Sequence, residues 1–435
     1  MQSSRIVEQW EAGVRRWLRS TAGGLPDTYW YLWSALLINR VGGFAILFMS
    51  LYLTGPRHLS PSLAGAVVGG YGVGGAAGAL VGGVLADRWG RRRTLLLAHL
   101  AGAAAMLALA VVSSIPAIAA LVVIVGIFQA MPSPAVVAAM VDVVPEHDRP
   151  RAFNLEFWAL NLGMALAALV AGIVAQVSFT LLFSLDAATT LLAAGLILSM
   201  VPETLPVRGG RHVAAPAADG SARGLAAALG DRIFMVFVGL TLIQAILYMQ
   251  SVTILPLAMK ADHLQPFAYG LVTSLGAALI VIGQLFVPAL IRGHRKGSVL
   301  AVASILVSVA YAVVAFSDVL PMYLLAATIW TGGNMLAAPP NASVIAELAP
   351  ATLRARYQAV FYVTFSLAAF LAPALGGVSF QRLGSRHWLI CAVVGVFGAL
   401  GHLAASGVRE RRVAAARPAE STEKWGAEVR RSDGG

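Results

Sequence analysis

Three ionisable side chains, Arg40, Glu156 and Asp186, fall inside long apolar stretches of the chain. A charge carried to membrane depth loses its hydration and needs compensation, so such residues mark ion or proton pathways by default. Arg40 lies about ten residues into its stretch, roughly 15 Å deep at the rise of a helix, too deep for easy snorkelling. A guanidinium stays charged at any accessible pH, so the titrating member of an Arg–carboxylate pair must be the carboxylate. Glu156 and Asp186 are the two carboxylates within reach. Arg40–Glu156 is the preferred proton-coupling pair, with Asp186 in reserve and a purely structural ion pair as the rival reading. His99, also inside an apolar stretch, reads as a packing histidine.

Four amides accompany these charges: Asn39, Gln129, Gln244 and Asn334. They form two pairs with one separation (244 − 39 = 205 and 334 − 129 = 205). Amides donate and accept hydrogen bonds without charge, which suits a neutral or modestly polar solute. Tyr248 and Trp330, with Phe44, Met131, Met249 and Met335 nearby, would add an apolar, adaptable wall. The single cysteine, Cys391, excludes a disulfide framework. No phosphate loop, metal-ligand cluster or nucleophile–base set is present in the sequence, so neither an enzyme, a cofactor nor a metal is expected.

The same separation organises the whole chain. His58-Leu59-Ser60-Pro61…Gly65 returns as His263-Leu264-Gln265-Pro266…Gly270 (263 − 58 = 205). Pro145…Arg149 returns as Pro350…Arg354, Asp142 as Glu347, and Ala171-Gly172…Gln176 as Gly376-Gly377…Gln381. Two copies of one unit stand in tandem, and in a membrane protein such a repeat points to a site between them. The second-half equivalents of Arg40, Glu156 and Asp186 are Ala245, Phe361 and Cys391, so ion handling is expected in the first half.

Composition sets the class: hydrophobic residues are 58% of the 435, charged residues 12%, and mean hydropathy is +0.78. Apolar runs of membrane-crossing length, roughly 20 residues, recur near 30–54, 62–86, 94–113, 116–141, 152–176 and 180–201. They recur again near 233–258, 267–291, 298–316, 320–346, 357–380 and 386–407. The expected fold is an all-α membrane protein of twelve transmembrane helices in two pseudo-symmetric six-helix bundles. Segments between runs alternate between basic and nearly uncharged. On this placement one side holds 26 of the 31 Lys and Arg, and the other holds only Arg57, Lys260, Arg382 and Arg386. That asymmetry places both termini in the cytoplasm. It also makes the net charge of +11 a topology signal rather than a nucleic-acid footprint. The expected divisions are a cytoplasmic segment 1–29, a first half 30–202, a linker 203–231, a second half 232–408 and a disordered tail 409–435. In the first segment Ile6, Trp10, Val14 and Trp17 recur at helical spacing, as in a helix lying on an anionic leaflet.

Between the second and third runs stands Gly83-Val84-Leu85-Ala86-Asp87-Arg88-Trp89-Gly90-Arg91-Arg92-Arg93. This resembles the signature loop of the major facilitator superfamily, G-x-x-x-D-x-x-G-R-R/K-R/K, at every defining position. The resemblance implies alternating access, with this loop as part of a cytoplasmic gate. Its expected members are Gly83, Asp87, Arg88, Gly90, Arg91 and Arg92, joined by Asp142 and Arg149 and mirrored by Glu347 and Arg354. It also implies a central cavity lined by the first, fourth, seventh and tenth spans, which carry the four amides. Gly70, Gly74, Gly78 and Gly82 would bare one face of the second span toward the eleventh, around Pro373 and Gly376-Gly377.

These features together predict a monomeric secondary transporter of the cytoplasmic membrane, its partners being a small-molecule substrate, protons and the lipid bilayer. Its expected activity is proton-coupled export of amphipathic compounds, resembling the multidrug efflux branch. Two departures from that branch are visible. No charge stands near Val122, where drug/proton antiporters carry an arginine, and span five reads Ala167…Gly172 without their proline. The alternative is proton-coupled uptake, because Asn39-Arg40…Tyr52 resembles the first span of oligopeptide transporters, without the glutamates of their motif. A non-transporting membrane sensor is the third reading.

Overall fold

The computed structural model describes residues 23–43, 45–205, 207–208, 211–212, 221–284, 286–350 and 353–416. The amphipathic segment before residue 23, Phe44 and the tail beyond 416 lie outside the described residues. Hydrocarbon offers no partner to backbone N–H and C=O groups, so a spanning chain must pair them within each helix. The first half runs α1 (Asp27–Val41), α2 (Ala45–Thr54), α3 (Pro61–Arg88), α4 (Arg91–Val111), α5 (Ile115–Ala130), α6 (Pro132–Val143), α7 (Arg149–Val177) and α8 (Phe179–Met200). The linker carries a two-residue hairpin, β1 (Val207–Arg208) with β2 (Arg211–His212), and then α9 (Ser221–Gly230). The second half runs α10 (Arg232–Thr253), α11 (Leu255–Ala261), α12 (Pro266–Gly283), α13 (Val287–Leu290), α14 (Lys296–Ala315), α15 (Leu320–Leu348), α16 (Arg354–Leu383) and α17 (Arg386–Ala416).

Among the described residues four expected spans are interrupted, including the seventh at Ile254, ahead of Pro256, and the eighth after Gly283. The first splits at Gly42-Gly43 into α1 and α2. The fourth breaks before Pro132, which has no N–H to continue the ladder. Among the described residues eleven segments are long and apolar enough to cross a membrane, where twelve were expected. The one outside that set is α15, which has the length, at 29 residues, but dilutes its apolar stretch with Gly332, Gly333, Asn334 and an internal Pro339-Pro340 pair.

The repeat is reproduced in three dimensions. α3 packs on α16, and its counterpart α12 packs on α7. α1 lies against α7 and α8 as α10 lies against α16 and α17. His58 and His263 both adopt positive φ, at 53° and 60°. The inter-half crossings match atom for atom: a Cβ on Gly65 would strike the Pro373 carbonyl, and one on Gly270 would strike that of Ala168 (270 − 65 = 205 and 373 − 168 = 205). The glycines expected to face the eleventh span do not do so. Gly74, Gly78 and Gly82 abut Val123, Ile127 and Met131 of the fourth span, while Gly65, Gly69 and Gly72 meet α16. Two stripes of glycine share α3, and periodicity alone does not tell which neighbour each one receives.

Among the described residues the close contacts between the halves lie at the end that carries His58 and His263. One apolar core there unites both halves and includes the edge-to-face pair Phe48–Tyr269, with centroids 5.4 Å apart. Lys260 Nζ donates to the Thr54 carbonyl across the same seam at 2.8 Å. Toward the basic end each half keeps a separate core. Gly83, on the α3 face that meets α16 higher up, has only Pro134 Cβ at 4.0 Å. Tyr362, three turns from Pro373 on the matching face of α16, is 62% exposed. The halves therefore splay, and the cleft between them opens toward the basic loops.

Valine at Gly65 or Gly270 would wedge the closed end apart against backbone that cannot rotate away. Each substitution is expected to lower the melting temperature in detergent by several degrees, whereas Gly83→Ala changes it little. Equal melting of all three variants would contradict this account of the seam.

Candidate translocation site

α1 is tied to α7 by two hydrogen bonds, Tyr29 Oη to the Ala152 carbonyl at 2.9 Å and Trp33 Nε1 to the Leu155 carbonyl at 2.8 Å. Asn39 Nδ2 donates to Thr190 Oγ1 of α8 at 3.2 Å. These bonds place Arg40 midway along the candidate span Asp27–Thr54. Its side chain opens into a cavity within the first half, walled also by Asn39, His99, Gln129, Ser133 and Glu156. Arg40 and Glu156 thus share one cavity, but the expected direct pair is not formed: no ion pair of 4.0 Å or less joins them among the described residues. The splayed state leaves Arg40 solvated, so contact is not required of it. His99, read from sequence as packing, also reaches this wall, its Nδ1 bonded to the Leu95 carbonyl at 2.7 Å. Asp186 is not part of the lining; it is buried in α8, within electrostatic reach of Tyr71 as Arg40 is.

A second cleft lies between the halves, lined by Phe157 of α7, Gln284 at the C-cap of α12 and Asn334, Met335 and Pro339 of α15. The four amides therefore divide. Gln129 and Asn39 face the first-half cavity, Asn334 faces the inter-half cleft, and Gln244 is half-buried with Oε1 lacking a hydrogen-bond partner among the described residues. Tyr248 is half-buried on α10. Two expected wall residues are core residues instead. Trp330 is 7% exposed and stacks on Tyr311, with centroids 6.3 Å apart, and Met131 is buried under Gly82. Large apolar side chains at a helix crossing are drawn into the packing wherever a neighbour leaves room.

At the basic end of the first half Arg91 gathers four acceptors. Its Nε meets Asp142 Oδ2 at 3.1 Å, its Nη1 meets Asp87 Oδ1 at 3.5 Å and the Ala86 carbonyl at 2.7 Å, and its backbone N–H donates to Glu203 Oε1 at 2.8 Å. Asp142, with a side chain 18% exposed, is the sheltered partner; Asp87, at 52%, is largely solvated and correspondingly weaker. Glu203 was not singled out from sequence. Its carboxylate sits on the N-terminus of α4, where Gly90 turns at φ 115° and has no Cβ to obstruct it. A lone glutamate after the sixth apolar run gives no periodic signal, though its place just beyond a helix end was the available clue.

Other expected gate contacts are redistributed. Arg92 donates to the Leu198 carbonyl, and Arg88 is exposed. Arg149 does not reach Asp142; its Nη2 donates to the Val141 carbonyl at 3.1 Å. Glu347 pairs with Lys296; the Arg354 side chain lies outside the described residues. Lys296–Glu347 is the repeat image of Arg91–Asp142 (296 − 91 = 205 and 347 − 142 = 205). A further hub was unforeseen. Asp231 caps α10, binds Arg412 through two bonds of 2.5 and 2.6 Å, and accepts from Tyr357 Oη at 2.8 Å. Each of these hubs joins helices of one half, or the linker to that half.

The sequence pattern of the Major Facilitator Superfamily matches residues 32–373 and, in a second register, 251–432. The chain belongs to this superfamily. It is a multi-pass integral membrane transporter by that membership. Two relatives from Bacillus subtilis (strain 168) are the uncharacterized MFS-type transporters YttB, 25% identical over 73% of this chain and 79% of its own, and YhjO, 26% identical over 71% and 75%. Among solved structures, a POT family transporter in complex with 5-aminolevulinic acid aligns with a TM-score of 0.75 at 14% identity, covering 89% of this chain and 98% of its own. The nucleoside transporter NupG aligns with a TM-score of 0.72 at 15% identity, covering 87% and 99%. At such identities these likenesses show the superfamily fold.

Burial alone would raise the Asp231 carboxyl, but the bonds from Arg412, Phe234 N–H and Tyr357 outweigh it and hold the group below its ordinary value of 3.8. A carboxylate lowered on folding contributes stability above its unfolded value and loses it as pH falls through the folded one. Stability of the basic end of the second half is therefore expected to drop below about pH 4. Asp231→Asn should lower the melting temperature at neutral pH and flatten that acid limb. Glu203→Gln, which leaves the α4 N-terminus without its anion, should cost a few degrees of melting temperature and spare the acid limb.

Proposed function

We propose that this transporter works by alternating access and couples export of small amphipathic solutes to protons through the first-half cavity. The observation that carries the reading is the placing of Arg40 and Glu156 on one wall of a membrane-depth cavity, in the half whose repeat partner has Ala245 and Phe361 instead. In this reading α15 completes twelve spans, both termini lie with the basic loops in the cytoplasm, and the splayed structure is the inward-open state. With the cytoplasmic side closed the carboxylate, parted from Arg40 in a poorly solvated site, takes up a proton from the outer side. Opening hydrates the cavity and lets Glu156 give that proton to the cytoplasm, so protons enter as solute leaves. Proton binding and the conformational equilibrium are then thermodynamically linked. The inter-half cleft supplies the solute site, its apolar wall of Phe157, Met335 and Pro339 carrying the amides of Gln284 and Asn334. Asp87, Arg91 and Asp142 act in the gate by fixing the first-half helix ends that must meet the second half, each bond weak enough to reform.

A second reading is uptake of a solute that carries a carboxylate. The exposed Arg40 guanidinium favours it, since a fork of donors matches a carboxylate. The structural likeness to POT family and nucleoside transporters accommodates this reading as well.

Transport in proteoliposomes under imposed pH gradients of either sign separates the two readings. Glu156→Gln is expected to abolish uphill transport, by tenfold or more, while sparing downhill exchange; Arg40→Ala is expected to impair both. Full gradient-driven accumulation by Glu156→Gln would place the coupling site elsewhere, with Asp186 the next carboxylate to test.

A further inference from the structure

At the basic end of the second half a cleft lies between the start of α14, the end of α15 and the end of α17. Arg409 lines it and is only 5% exposed. Its Nη2 donates to the His402 carbonyl at 3.0 Å, and the guanidinium lies 5.7 Å from the centroid of the Phe237 ring. Its Nη1 is buried with no hydrogen-bond partner among the described residues. The other charges of the cleft are taken up in pairs, Lys296 with Glu347 and Arg295 with Glu410 at 3.9 Å. Among the described residues Arg409 has no carboxylate within ion-pair distance, and the neighbouring Glu410 acts on it only at longer range. A buried guanidinium with no counter-charge in contact is expensive, which makes the site an attractor for an anion.

The internal repeat shows what kind of group fits there. α14 is the image of α4, with Lys296 at the position of Arg91 (296 − 91 = 205). In the first half the N-terminus of α4 receives the Glu203 carboxylate, because α8 stops at Met200 and the chain turns back across the helix end. In the second half α17, the image of α8, continues as helix to Ala416. Among the described residues no carboxylate accepts from the first N–H groups of α14; Glu410 of α17 meets only the Arg295 side chain, at 3.9 Å, and that N-cap residue makes no capping bond. The first half therefore satisfies this helix end from within. The second half offers the same N–H groups beside a buried arginine. An oxyanion with several acceptor atoms answers both donors at once.

We propose that this cleft is a binding site for a phosphate-type oxyanion, with Arg409 Nη1 and the first N–H groups of α14 as its donors. The phosphate arrives either on the headgroup of an anionic phospholipid at the basic face or as a free ion. The site is distinct from the cavity that holds Arg40 and Glu156, and the proposal does not rest on the transport reading. A filled site would clamp α14 to α17, as Glu203 clamps the linker to α4.

The test uses the purified full-length protein in a neutral detergent. Melting is followed with millimolar inorganic phosphate against chloride of equal ionic strength, and with short-chain phosphatidylglycerol against phosphatidylcholine. The expected result is a rise of at least about 2 °C with an anionic phosphate and none with phosphatidylcholine. A rise with phosphatidylglycerol alone assigns the lipid, and a rise with inorganic phosphate alone assigns the free ion. Arg409→Gln should lose the rise. Ser406→Asp is the second variant, since Ser406 stands against Gly297 in the first turn of α14. It should supply an internal carboxylate, melt higher without added anion and respond no further. No rise with either phosphate in the wild type overturns the proposal. So does a full rise in Arg409→Gln, or, if that variant does not fold, a full rise in Ser406→Asp.

Discussion

Two close helix crossings, α3 over α16 and α12 over α7, hold this transporter together, and both lie at the same end of the molecule. Helices in hydrocarbon gain little from burying apolar surface against each other, because lipid is as apolar as leucine. Cohesion comes instead from close van der Waals approach, which small residues allow. Gly65 against Pro373 and Gly270 against Ala168 supply that approach twice, related by the repeat. Because the contact ends below these points, the two halves diverge like the arms of a hinge. The position of the crossings therefore sets which end opens, where the inter-half cleft lies and which side chains line it.

A symmetric frame carries an asymmetric chemistry. The crossings, the positive-φ histidines and the Arg91–Asp142 and Lys296–Glu347 pairs all recur at one offset. Arg40 and Glu156 do not recur, and neither does the stack of Tyr311 on Trp330 and Trp388. One half surrounds a polar cavity, and the other fills its outer end with aromatic rings. The ends of the halves differ too: the first uses Glu203 from the linker to secure α4, and the second secures α10, α16 and α17 through Asp231.

Much of this was legible in the residue order. Apolar run length follows from bilayer thickness, the offset of 205 is visible without alignment, and the signature loop from Gly83 to Arg93 points to the superfamily. The misreadings share a single cause. Arg149 was placed in one network with Asp87, Arg91 and Asp142 but bonds a carbonyl, and Trp330 and Met131 were placed on a cavity wall but are core residues, each from correct placement near a helix end or on a helix. What was wrong was the partner. A guanidinium several bonds long reaches a carbonyl as readily as a carboxylate, and a helical period names a face without naming its neighbour.

Residue types and their spacing alone determined the membrane class, the tandem repeat, the side on which the basic loops gather and the depth of Arg40, because each depends on distances along one chain. Tertiary structure alone decided that Arg40 and Glu156 share a cavity without touching, that His99 joins them, and that Glu203 rather than a neighbour caps α4. It decided as well that Arg409 is buried beside an uncapped helix end. Those facts depend on the angle and offset at which helices far apart in sequence cross. Such angles are set by the summed fit of many small side chains, and no local pattern encodes that fit.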